Sequence, residues 1–283
     1  MAITITSEIL CLGNELLLGT IVNGNAQWLS KAITEAGSVV KRITVAGDDV
    51  NEISSVIKEA LSRKPDWLII SGGLGPTYDD KTLEGVAVAL AVDLILDYTA
   101  VEMLKRSYAR YSLSYELNDT RLKMARIPRG SIPIQNPIGS APSVLIETNK
   151  TSSNVTSAIG ANTKIICLPG VPKEMQAIFL ESILPQIKRM VGDFHIIETT
   201  HETIGVSEAM LAPILLNIVQ SNPSDLIYLK THPQGYTNDN KPKLRIQIVS
   251  KGKGKSEVQS RYNNIVNTLI EEIKRLNGKV LIH

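Results

Sequence analysis

LIISGGLGPTYDDKTLE, residues 68–84, is the stretch on which the reading of the fold turns. With Trp67 before it, the run 67–70 is short, apolar and flat in period, as in a strand buried on both faces. It breaks at Ser71-Gly72-Gly73-Leu74-Gly75-Pro76-Thr77, after which Asp79 and Asp80 open a helical pattern carrying Leu83, Val86, Ala87 and Leu90. Glycines at 72, 73 and 75 let backbone N–H groups come close to an anion, and a helix start behind them adds free N–H groups and a positive dipole end. Two carboxylates beside such a cradle suggest a divalent cation shared between protein and phosphate. A plainer explanation is also open. Thr77 and Asp80 fit a helix-capping pattern, and acids at a helix N-terminus are worth about 0.3–1 kcal/mol with no ligand at all. Two carboxylates about 4 Å apart repel by about 1 kcal/mol in water and about 4 kcal/mol in a cleft of effective dielectric about 20, so burial decides between the readings.

Upstream, strand and helix patterns alternate. Residues 8–12 read as a first strand and 13–19 as the loop after it, and Asn23, Asn25 and Gln27 lead into a helix with Trp28, Leu29, Ala32, Ile33 and Ala36 on one face. Residues 39–45 form a second strand, Gly47-Asp48-Asp49 follows, and Ile53, Val56, Ile57, Ala60 and Leu61 mark the next helix. Three such alternations predict an α/β fold, a doubly wound and mostly parallel sheet. In these sheets ligands sit beyond the carboxyl ends of the strands, where Glu15, Asp48, Asp49, Asp79 and Asp80 all fall. Each acid has an ordinary explanation: Asp49 with Glu52 reads as a helix cap, Asp48 as a solvated residue, Glu15 as a loop acid. Their convergence on one edge is what those explanations leave out.

Downstream, 98–125 is largely helical in pattern, with Val101, Leu104, Tyr108 and Tyr111 in one segment and Leu117, Leu122 and Ala125 in another. Pro128-Arg129-Gly130 and a rigid loop at 136–142 follow. Residues 144–147 and 164–168 read as strands, joined by a polar hairpin tip at 149–163. Pro169-Gly170 then makes a tight turn before a helix from Lys173, with or without a ligand. Beyond Met190 the order is β-α-β-β-α with a possible last strand at 280–282, the long helix carrying Val258, Tyr262, Ile265, Val266, Leu269, Ile273 and Leu276. That order predicts a second, smaller α+β domain of split βαβ type at 191–283, after a first domain at 1–190. Pro213 falls inside its first helix, and the basic run 251–255 reads as a solvated turn.

Composition bounds the rest. A chain of 283 residues, 43% hydrophobic and 20% charged, can bury a real core. A formal charge of +2 and only two Phe and two Trp give no ground for a nucleic-acid partner. No apolar run has the length of a membrane span and no signal peptide opens the chain, so no membrane partner and a cytoplasmic location are expected. Cys11 and Cys167, each in an apolar run, read as core thiols, and the four histidines form no metal or catalytic pattern.

Taken together, SGGLGPTYDDKTLE, GNELLLGTIVNGNAQWL, VAGDD, NPIGSAPSV and PGVPKEM resemble, in the same order, the motifs of CinA-like proteins, which carry a molybdopterin-binding domain of the MoaB/MogA type. The resemblance covers about residues 5–180, and Thr203-Ile204-Gly205 with Ser207-Glu208 resembles more weakly the KH-like small domain that follows. It implies metal-dependent hydrolysis of ADP-ribose to AMP and ribose 5-phosphate, with Asp80 and Asp49 catalytic and Asp79, Asp80 and Glu15 at a divalent metal, magnesium or a transition metal such as cobalt. Gly72, Gly73, Gly75 and Thr77 would hold phosphate oxygens, Asn136 and Gly139 would border the nucleoside, and Pro169 and Gly170 would complete the site. The alternative is a protein that binds molybdopterin, or handles the molybdenum cofactor, without hydrolase activity. In either case the partner is a nucleotide or a pterin phosphate, and the resemblance implies a homodimer. No counterpart of the nicotinamide-mononucleotide deamidase domain of longer CinA proteins is read here, and that activity is not expected. Where the family's first motif usually reads Gly-Asp-Glu, this chain has Gly13-Asn14-Glu15, one carboxylate fewer for a cation.

Overall fold

A computed structural model describes residues 4–110, 116–148, 162–223 and 226–281. The expected hairpin tip falls at 149–161 outside them, as do Tyr111 and the end residue Ile282 of the last expected strand. The chain forms two compact units, Met1–Val191 and Gly192–His283.

The first unit begins β1 (Thr6–Leu12), α1 (Asn14–Leu17), α2 (Gly24–Glu35), β2 (Val39–Ala46), α3 (Val50–Ser62), β3 (Trp67–Ser71) and α4 (Thr82–Leu90). It continues β4 (Leu94–Leu96), α5 (Tyr98–Ala109), α6 (Asp119–Leu122), β5 (Arg126–Pro128), β6 (Ile132–Ile134), β7 (Ser143–Glu147), β8 (Lys164–Leu168), α7 (Pro172–Ile178) and α8 (Leu184–Val191). A π-helical turn, Phe179–Ile183, joins the last two helices. The main sheet runs β2-β1-β3-β8-β7-β6. Its first four strands are parallel, and β7 and β6 extend it antiparallel, so the sheet is mixed but mostly parallel. β4 and β5 pair separately.

β3 lies at the centre with every residue buried. Its alternate side chains serve different cores: Leu68 and Ile70 pack with α3, α4 and α5, whereas Trp67 and Ile69 pack with α2, α7 and the π turn. Two buried faces explain why the run shows no polar alternation. Each buried Leu or Ile contributes about 1.5–3 kcal/mol. Cys11 and Cys167 are free, buried thiols, and burial pushes the Cys167 thiol up to about 12. Below the sheet, Glu8 is buried on β1 and is gripped by the Arg63 guanidinium through two bonds of 2.6 and 2.8 Å. The exposed edges carry Lys41 and Arg42 on β2 and Pro133 on β6, which blunt further strand pairing.

The second unit is β9 (His195–Ile204), α9 (Glu208–Gln220), β10 (Ile227–Tyr236), β11 (Pro242–Gly252), α10 (Lys255–Arg275) and β12 (Lys279–Leu281). Its sheet, in the order β10-β11-β9-β12, is antiparallel throughout and packs Leu244, Ile246 and Ile248 against Leu211, Ile218, Ile265, Leu269 and Ile273. This is the split βαβ arrangement that the element order predicts. The points of the KH-like resemblance, Thr203-Ile204-Gly205 and Ser207-Glu208, fall at the end of β9 and the start of α9, and residues 192–281 contain no Gly-X-X-Gly. Among the described residues no helix is long and apolar enough to cross a membrane.

Candidate ligand-binding site

The four parallel strands β2, β1, β3 and β8 end side by side at Ala46, Leu12, Ser71 and Leu168. The residues just beyond them line a cleft of about 550 Å³. It brings together Glu15, Gly72, Gly73, Gly75, Thr77, Asp79, Asp80, Pro169 and Gly170, all named from the sequence. Backbone bonds stitch its floor: Gly13 N–H to the Ala46 carbonyl at 3.1 Å, and Gly72 N–H to that of Leu168 at 3.0 Å. The Asn25 amide donates to Ser71 Oγ and to the Gly170 carbonyl, at 3.0 and 2.8 Å, and so ties the start of α2 to the ends of β3 and β8.

The glycines are required by the protein itself. Gly72 has φ +114°, and a Cβ there would lie 2.3 Å from the Leu12 carbonyl oxygen. Gly73 has φ +64°, and its Cβ would meet Thr82 Oγ1 at 2.3 Å. Thr82, fully buried, donates its hydroxyl to the Gly72 carbonyl at 2.7 Å and its N–H to that of Gly73 at 3.2 Å. What this leaves over is informative: the N–H groups of Gly73, Leu74 and Gly75 have no acceptor among the described residues. Three successive donors with no partner in the described chain are what an anion-binding nest would supply.

The acids that follow are arranged differently from the expectation. The helix begins at Thr82, and Thr77–Asp80 is a turn before it, so neither aspartate stands in the first helical turn. Asp80 accepts the Thr77 N–H at 2.8 Å, and the Thr77 hydroxyl lies between the Asp79 and Asp80 carboxylates, with one proton to serve both. Lys123 donates to the Thr77 carbonyl at 2.6 Å. Asp79 is exposed, and the Thr77 hydroxyl, its own N–H and the charges of Lys123 and Lys81 hold its carboxyl below the usual range.

Asp48, not Asp49, lines the cleft. Asp49 accepts the N–H groups of Asn51 and Glu52 at 2.9 and 3.0 Å, the N-cap of α3. Asp48 accepts the Asn14 N–H at 2.9 Å. Burial raises its pKa, the Asn14 bond opposes this, and the charges of Glu15, Asp79 and Asp80 raise it further. The Asn14 side chain accepts the Asp48 N–H through Oδ1 at 3.4 Å and, as a neutral amide, adds no charge to this group of acids.

Asn136 and Gly139 do not line the cleft. Asn136 is fully buried: its Oδ1 accepts the N–H groups of Ile138 and Gly139, and its Nδ2 donates to the Ala141 carbonyl and to Glu174 at 2.7 Å. Arg110 grips the same loop through the carbonyls of Asn136, Pro137 and Gly139. Ser140, Ala141 and Glu174 reach the cleft in their place. Sequence reasoning missed Asp48 as the facing acid, and it missed Asn25, Glu174 and Arg110. Asp48 had a signal in its place beyond the end of β2, and Asn25 and Glu174 had one as polar residues in the first turns of helices beside the sheet edge; Arg110 had none.

The donor set does not fit a resident divalent cation. Among the described residues no three His, Cys, Asp or Glu side chains come together as a metal-holding group. Of the three acids expected to ligate one, Asp79 and Asp80 are engaged with Thr77, and Glu15 lines the cleft without completing a metal-holding group.

Residues 8–189 match the family described as a probable molybdopterin binding domain. A Saccharolobus solfataricus protein is 38% identical over 272 residues, 96% of this chain and 93% of its own length. One from Sulfurisphaera tokodaii is 37% identical over 275 residues, 97% of both chains. Among solved structures, CinA of Thermoplasma acidophilum, described as of unknown function, is 38% identical with a TM-score of 0.56, covering 65% of this chain and 98% of its own.

Proposed function

The chain belongs to the molybdopterin-binding-domain family, and from that premise we propose that its cleft binds a phosphorylated pterin of the molybdopterin class. The observation that carries this reading is the set of three unpaired N–H groups at Gly73, Leu74 and Gly75, rimmed by acids. A phosphate monoester accepts from such donors. The 2-amino-4-oxo edge of a pterin offers adjacent N–H donors, which carboxylates such as those of Glu174 and Asp48 accept.

Hydrolysis of ADP-ribose has less in its favour. Of the two acids expected to be catalytic, Asp80 is bonded to Thr77 and Asp49 is the cap of α3. The family description names a pterin. The test is to titrate the protein with molybdopterin released from a molybdoenzyme, following pterin fluorescence, and separately to incubate it with ADP-ribose and divalent metals. Saturable pterin binding without release of AMP supports this reading. AMP release with no pterin binding overturns it. The homodimer rests on the resemblance alone, and a solution mass near 30.9 kDa by light scattering would contradict it.

A further inference from the structure

The cleft has two unlike walls. α2 and α7 pack together in the core on one face of the sheet, and α4 and Met124 in the core on the other. The turn with Asp79 and Asp80 precedes α4, whereas Ile21 and Val22 precede α2, and Val171 precedes α7. All five line the cleft, so aspartates face aliphatic side chains across the glycine row. The aliphatic side is unusually bare: Ile21 is 58% exposed, Val22 89% and Val171 54%.

These side chains stand on an ordered support. Thr20 N–H and hydroxyl both bond to the Glu15 carbonyl, Gly24 N–H bonds to that of Val22, and Asn23 caps α2 through the Ala26 N–H at 3.1 Å. Asn25 locks the same segment to β3 and β8. Single exposed aliphatic residues are ordinary on protein surfaces. Three of them, held on one rim of a polar cleft beside unpaired phosphate donors, suit a ligand that is charged at one end and flat and apolar-faced at the other.

We propose that Ile21, Val22 and Val171 form a platform for the planar heterocycle of the ligand whose phosphate is held at Gly73–Gly75, and that this platform sets the preference for a ring-bearing phosphate over a bare one. The inference rests on the phosphorylated-pterin reading and adds to it the residues that recognise the ring. On the opposite wall Leu74 and Met124 also reach the cleft but are only 4% and 2% exposed, and the charged groups there are the carboxylates of Asp79 and Asp80, against which ring faces gain little.

Titration calorimetry with hydroxymethylpterin phosphate and with inorganic phosphate, on wild type and on the double variant I21S/V22S, tests it. Both side chains are exposed, so the fold survives the change. Losing the aliphatic contact is expected to weaken the pterin phosphate about tenfold and to leave inorganic phosphate unchanged. Ile21→Leu with Val22→Leu restores the affinity. Unchanged pterin affinity in the serine variant, or equal weakening of both ligands, overturns the platform. A wild type that binds the two ligands equally also overturns it, yet leaves the phosphate nest standing. A wild type that binds neither removes the site reading and the platform with it.

Discussion

Replacing Gly72 by Ala is expected to be among the most damaging single-methyl changes in the first unit. Two costs add. At φ +114° an L-residue is strained by about 1–3 kcal/mol. The new Cβ, 2.3 Å from the Leu12 carbonyl oxygen, meets backbone that cannot rotate away, so the end of β1 must shift, at about 1–3 kcal/mol. The sum, about 2–6 kcal/mol, is a large part of a typical domain stability of about 5–15 kcal/mol. Gly19→Ala is the control: φ there is also positive, +69°, but nothing lies within 4 Å, so only the left-handed cost of about 1–2 kcal/mol applies. Both tryptophans, Trp28 and Trp67, lie in the first unit, so urea unfolding followed by their fluorescence reads that unit alone. Gly72→Ala should lower the midpoint well beyond Gly19→Ala. Equal losses would refute the close approach of the glycine turn to β1.

Other outcomes follow from the same contacts. Thr82→Val leaves the buried Gly72 carbonyl without its donor and should cost about 1–3 kcal/mol in the same urea assay, with Thr82→Ser recovering most of it. Arg63→Met strands the Glu8 carboxylate, 4% exposed, and should cost about 3–5 kcal/mol, whereas Glu8→Leu combined with Arg63→Met should cost less than the single change. In the second unit His201 is buried, bonded through Nε2 to Thr199 and Tyr262, with no partner for Nδ1 among the described residues. Burial lowers its pKa from 6.5, so the unfolded chain takes up the proton first. That unit is therefore expected to lose stability as pH falls below 6.5, by at most about 1.4 kcal/mol per unit of pH from this residue, and hydrogen exchange across its strands should show a shallower slope in His201→Leu.

How much could be read in advance depended on whether the cause was local. The strand-helix alternation through residue 90 is written in periodicity, because β3 is buried on both faces and α3 on one, and those patterns gave the central sheet. β4, β5 and β6 are three-residue strands that exist only through pairing, β4 with β5 about thirty residues on and β6 with β7, and no periodicity fits in so short a run. The π turn at Phe179–Ile183 is likewise set by packing. At the site, the glycine turn was legible as a place where backbone comes close to something. That something turned out to be Leu12 and Thr82 as much as any ligand. Asp48 and Asp49 could not be told apart from their neighbours alone: one residue of rotation at the start of α3 decides which carboxylate caps and which faces the cleft. Asn136 read as a loop residue near the ligand, yet three roles inside its own loop bury it.

The central claim is that the N–H groups of Gly73, Leu74 and Gly75 receive the ligand's phosphate. Amide nuclear magnetic resonance of isotope-labelled protein, titrated with hydroxymethylpterin phosphate, tests it residue by residue. The expected result is that these three amides move downfield on saturation while the capping amides of Asn51 and Glu52, already bonded to Asp49, stay in place. Saturable binding that leaves all three resonances unmoved would contradict it.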